Sequence, residues 1–81
     1  MPIRFASSAS KHRISHARIL YVLEHYVWAY DVRRGVTLYM GADRNSIDLE
    51  VGAVERGGDL YVIHAMKIRP QFLAEYRRHL S

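Results

Sequence analysis

The spacing of apolar residues predicts an α+β fold: a small antiparallel sheet of three to four strands with one N-terminal and one C-terminal helix. Three observations carry that expectation. Between His16 and Tyr30, residues Ile19, Leu20, Leu23, Tyr26, Val27 and Tyr30 recur on one face at helical spacing. Between Val36 and Ile68, three runs rich in strand-forming residues are separated by turn-forming segments. After Arg69, Pro70 suits the first position of a helix, and Phe72, Leu73, Tyr76 and Leu80 continue it as an apolar stripe. The 81 residues are expected to form a single domain, 1–81. A chain of this size buries roughly 60–65% of its unfolded surface, so it holds one modest core. An apolar fraction of 49% favours folding over disorder.

Each element has a local reason. Ile3-Arg4-Phe5-Ala6 reads as a short strand with Ile3 and Phe5 on one face, and Ser7-Ser8-Ala9-Ser10 reads as a turn, because serine hydroxyls bond nearby backbone groups. Ser15 is placed to cap the helix that follows. On the other side of that helix, Arg18, Tyr21, His25 and Trp28 mix large aromatics with basic groups. Packing of Tyr21 and Trp28 by later parts of the chain is favoured there over a surface that stacks RNA bases. Asp31-Val32-Arg33-Arg34-Gly35 ends the helix. Val36–Met40, Ile47–Glu55 and Leu60–Ile68 are then most simply neighbouring antiparallel strands. Arg56-Gly57-Gly58-Asp59 forms a hairpin turn in which glycines supply positive φ.

Composition narrows the chemistry. With no cysteine there is no disulfide and no thiolate metal site. Neither a signal peptide nor a run of roughly 20 apolar residues is visible, so a cytoplasmic protein with no membrane partner is expected. Net charge is +4 and the pI about 9.8, with ten arginines and two lysines. Residues 1–30 and 64–81 hold most of the basic groups, whereas Asp31, Asp43, Asp48, Glu50, Glu55 and Asp59 lie between them. A basic surface built from both ends suits RNA or DNA, since arginine contacts phosphate bidentately; a merely solvated basic face is the plainer alternative.

No Gly-rich phosphate loop, zinc-ligand spacing or Ser/His/Asp set stands out. His12 and His16 are the only local histidine pair, and without a nearby carboxylate or third histidine no metal is assigned to them and no cofactor is expected. The residues fit metal-free cleavage of RNA better. In that reaction the 2′-hydroxyl attacks phosphorus, and a base, a cation and an acid are needed. His64, Lys67 and Arg69 at a strand-to-helix junction, with Tyr76 on the last helix, are the candidate catalytic residues. Lys11, His12 and Arg13 before the first helix, with Arg77, are the candidate RNA-binding residues. The competing reading makes His64 an inert core histidine. Hairpin register decides between them. A two-residue Gly57-Gly58 turn pairs Val51 with His64 and sends His64 to the core, leaving Asp48 to pair with Lys67. A three-residue turn pairs Gly52 with His64 and places His64 on the face of Glu50.

Lys11-His12-x-Ile14-Ser15 before a helix, three strands ending in Ile63-His64-Ala65-Met66, and a final helix with Glu75-Tyr76 resemble BrnT, a family of small toxins of bacterial type II toxin–antitoxin systems related in fold to the RelE ribonucleases. The resemblance spans about residues 3–80. Arg13 stands where the family commonly has a glycine or small residue, and His64 and Met66 stand where it has a Ser and an Arg. The resemblance implies an endoribonuclease that inhibits translation, and a cognate antitoxin that covers the active face and binds the operon's promoter DNA. Assembly as a homo-oligomer or as a toxin–antitoxin heterotetramer stays open. The alternative function is a non-catalytic RNA- or protein-binding module.

Overall fold

The computed structural model describes residues 1–80. The chain runs through β1 (Ile3–Phe5), a 3₁₀ turn at Ser7–Ser10, α1 (His16–His25), β2 (Trp28–Asp31), β3 (Val36–Ala42), β4 (Asp48–Arg56), β5 (Asp59–Lys67) and α2 (Pro70–Arg78). The fold is α+β, but the sheet has five strands where three to four were expected. It is also mixed, not purely antiparallel. Its order is β1-β5-β4-β3-β2. β3 to β5 form the expected antiparallel meander, β2 extends it as a strand that was not expected, and β1 adds in parallel beside β5, with Ile3 opposite Leu60 and Phe5 opposite Val62.

The first helix is shorter than its apolar spacing suggests. It begins where expected, with Ser15 Oγ accepting from the Arg18 amide, but it stops at His25, and Tyr26 is already extended at ψ 150°. Trp28–Asp31 pairs with Thr37–Met40 as the edge strand β2. Tyr26, Val27, Trp28 and Tyr30 are aromatic or β-branched, so they suit a strand at least as well as a helix, and an available partner strand decided the matter. Gly41 makes the turn out of the helix fit. A Cβ at that position would lie 3.0 Å from the Tyr26 Cα and 3.5 Å from the His25 carbonyl oxygen.

The sheet is covered on both sides. Leu49 and Val51 of β4 and Val62 and Ala65 of β5 point to one face, where they meet Ile19 and Val22 of α1, together with Ala9 and Ile14. Leu38 and Met40 of β3 point to the opposite face, where Tyr76 of α2 and Ile68 pack, flanked by Trp28, Phe72 and Leu73. Burying each of these large side chains contributes about 1.5–3 kcal/mol. Trp28 is thus packed by the later chain, stacked 5.2 Å from His79. Because β4 alternates, Asp48, Glu50 and Gly52 face α2, the side opposite Leu49 and Val51. Among the described residues no helix is long and apolar enough to cross a membrane.

Candidate active site

The β4–β5 hairpin closes with a two-residue turn: Arg56 pairs with Asp59, and Gly57 and Gly58 take φ of 56° and 86°. That turn alone would send His64 to the core. A β-bulge intervenes. Ala53 pairs with Val62 but Gly52 pairs with His64, so Ile63 is the extra residue and the register beyond it shifts by one. His64 therefore lies opposite Gly52, and Met66 lies opposite Glu50. The turn follows the core register, while the strand beyond the bulge follows the active-face register. The Asp48–Lys67 pair that belongs to the core register does not form, because Lys67 is opposite Leu49. Gly52 makes room for the imidazole: a Cβ there would lie 3.1 Å from the His64 Cβ and 3.3 Å from Leu38 Cδ2.

Glu50 is the hub of this face. Its carboxylate is wholly buried and every oxygen is used. His64 Nε2 lies 2.9 Å from Oε2. The Arg69 backbone amide donates to Oε1 at 2.9 Å, Nε donates to both oxygens at 3.1 Å, and Nη2 donates to Oε2 at 2.7 Å. Burial pushes the Glu50 carboxyl up, but hydrogen bonds from His64 and Arg69 outweigh it and hold the pKa at about 2. Glu50 is thus an anion at neutral pH, and its partner Nε2 carries the hydrogen. In the neutral imidazole that bond leaves Nδ1 as the acceptor. Arg69 is the N-cap residue of α2, and the Glu50 carboxylate raises its already high pKa further. Its guanidinium also lies over the Phe72 ring at 5.3 Å. His64 and Arg69 both keep an exposed rim, with side chains 28% and 38% accessible.

The structure sorts the other candidates. The His12 ring stands edge-on to His64, 6.1 Å between centroids. His12 also shares a shallow groove of about 280 Å³ with Ile14, Met66 and Lys67. His12 is thus near both His64 and Lys67, but Lys67, opposite Leu49, lies on the other face of β5 from His64 and Arg69. Lys11 and Arg13 are exposed on the His12 loop. Tyr76 stands apart. It is wholly buried and donates its hydroxyl to Asp48 Oδ1 at 2.8 Å. Burial first, then that carboxylate, raises the pKa of the phenol, so as the structure stands it pins α2 to β4 instead of facing a substrate. Arg77 is exposed on α2, and no hydrogen bond or ion pair among the described residues joins it to Glu50. His16 does not converge with His12. It stacks on Phe5 at 3.7 Å, and among the described residues no group of three His, Cys, Asp or Glu is placed to hold a metal ion.

The functional residue that sequence reasoning underweighted is Glu50. Glu50 entered only as a neighbour of His64 in one of the two registers and Asp48 as a partner of Lys67 in the other, yet Glu50 is buried under Arg69 and Asp48 accepts from Tyr76. A second acidic side chain, Asp43, is also buried, but its role is local. It accepts from the amides of Asn45 and Ile47 and from Arg18 Nε, which clamps the β3–β4 turn to α1. The chain matches no protein-family model, no curated protein and no solved structure.

Proposed function

We propose that the protein is a BrnT-like toxin of a type II toxin–antitoxin system and acts as a metal-independent endoribonuclease. The observation that carries the reading is the buried carboxylate of Glu50 holding His64 and Arg69 side by side at the surface. An anionic Glu50 fixes the His64 tautomer and presents Nδ1 to accept the 2′-hydroxyl proton. The N–H groups of Arg69 not spent on Glu50 hold the non-bridging phosphate oxygens and offset the charge that builds there. Two further observations support the family. Arg13 sits at φ 59°, the left-handed conformation that glycine adopts without strain, at the position where the resemblance expects a glycine or small residue. The excess of arginine suits an RNA substrate and an acidic antitoxin segment.

The experiment is expression alone and with the neighbouring gene product, followed by cleavage of RNA by the purified protein in a chelator. Growth arrest relieved by the neighbour, with cleavage lowered about 10²–10⁴-fold in folded His64→Ala and severely reduced in Arg69→Ala, is the expected outcome. Cleavage unchanged in both variants would remove this site. A second reading is favoured by one observation: much of the Arg69 fork is committed to Glu50, as in a structural clamp. A non-catalytic RNA- or protein-binding module would then bind its ligand without turnover.

A further inference from the structure

We infer that His12 is the second proton carrier of this site, the general acid that protonates the leaving 5′-oxygen of RNA; the inference rests on the endoribonuclease reading. Three observations place it there. Its ring is 6.1 Å from that of His64, at a near-perpendicular 81°, so a phosphate resting on the exposed rims of the two rings reaches both. The His12 side chain is exposed and makes no hydrogen bond or ion pair among the described residues, so both ring nitrogens are available to a substrate. The loop that carries it is fixed. Ser8 Oγ donates to the Ile63 carbonyl at 2.7 Å, Ala9 and Ile14 are buried on either side, and the Arg13 amide donates to the Ser10 carbonyl at 3.0 Å.

The two histidines are not equivalent, which assigns their roles. His64 is bonded to an anionic carboxylate through Nε2 and offers a lone pair at Nδ1. Among the described residues His12 has no carboxylate partner, and it serves as the donor. The 2′-hydroxyl proton passes to His64 Nδ1 as the bond from the 2′-oxygen to phosphorus forms. The bond from phosphorus to the 5′-oxygen breaks, and the His12 imidazolium gives that oxygen its proton. The products are a 2′,3′-cyclic phosphate and a free 5′-hydroxyl. Proton exchange with water then restores both rings.

A leaving group that needs no proton isolates the acid. One RNA oligonucleotide is prepared in two forms, with the ordinary 5′-oxygen or with a bridging 5′-sulfur at the cleaved position, since a thiolate departs unprotonated. His12→Gln is expected to lower cleavage of the oxygen form about 10²–10⁴-fold and to leave cleavage of the sulfur form within a few-fold of wild type. His64→Gln is expected to lower both. If His12→Gln lowers both forms alike, or neither, His12 is not the acid, while the endoribonuclease reading stands on wild-type cleavage. If the wild-type protein cleaves neither form, the endoribonuclease reading fails and takes this inference with it. Circular dichroism of each variant checks that the fold is kept.

Discussion

At the scale of single residues, the site depends on a charge kept where charges are costly. Removing one partner of a buried, hydrogen-bonded carboxylate leaves the others unsatisfied, which costs more than the pair itself contributes. The pH dependence follows from Glu50. Its carboxyl sits at about 2 when folded against 4.5 for a free glutamate, so its stabilisation is complete above about 4.5 and is lost as pH falls through the folded value. Urea midpoints measured between pH 6 and about 2 should fall steadily in the wild type. In Glu50→Gln the fall should be shallower and the starting midpoint lower. Asp43, held below its usual range by the Ile47 amide and Arg18 against the opposing effect of burial, supplies the part that remains. Gly52 is the second sensitive position. A methyl group there meets the His64 Cβ, so Gly52→Ala should cost about 1–3 kcal/mol in urea unfolding and should also impair cleavage by displacing the imidazole. The face of His64 was not legible beforehand because both hairpin registers satisfied the apolar alternation. The deciding feature, an extra residue at Ile63, has no composition signal, since isoleucine is an ordinary strand residue.

At the scale of elements, α2 is tied to β4 by polar contacts at two points, Glu50 at its N-cap Arg69 and Asp48 at the Tyr76 hydroxyl. Tyr76→Phe keeps the ring in the core and removes only the hydroxyl, leaving Asp48 Oδ1 without its donor. A loss of about 1–2 kcal/mol by thermal or urea unfolding is expected, with RNA cleavage unchanged. Lost cleavage with unchanged stability would return Tyr76 to the catalytic set. Pro70 and the stripe of Phe72, Leu73 and Tyr76 made this helix legible from its residues. The end of α1 was not legible in the same way. Residues 26–30 satisfy a helical period and a strand period together, and the choice is made by β3, a partner that local spacing cannot weigh. The turn of paired glycines before β5 was legible because few other residues accept two consecutive positive φ angles.

At the scale of the whole molecule, two of the three acidic side chains of β4, Asp48 and Glu50, turn toward α2 while Glu55 stays exposed, as do Lys11, Arg13, Lys67 and Arg77. RNA binding should therefore be dominated by phosphate contacts. For three or four such contacts, affinity measured by fluorescence anisotropy should fall about 10- to 50-fold between 50 and 200 mM salt. Binding insensitive to salt would point to a protein partner instead. The meander and the final helix could be read from local pattern, whereas the parallel pairing of β1 with β5 could not, because it joins segments more than fifty residues apart. That pairing has a consequence for when the molecule comes to life. The loop bearing His12 is anchored on β5, and Glu50 acquires His64 and Arg69 only after β5 and the start of α2 are in place. During synthesis the Glu50 cluster therefore stays incomplete until β5 and the start of α2 have emerged. Contacts of such long sequence separation also form slowly. If the protein is a toxin as proposed, the interval before that cluster closes is a window in which an antitoxin would meet the chain ahead of its substrate.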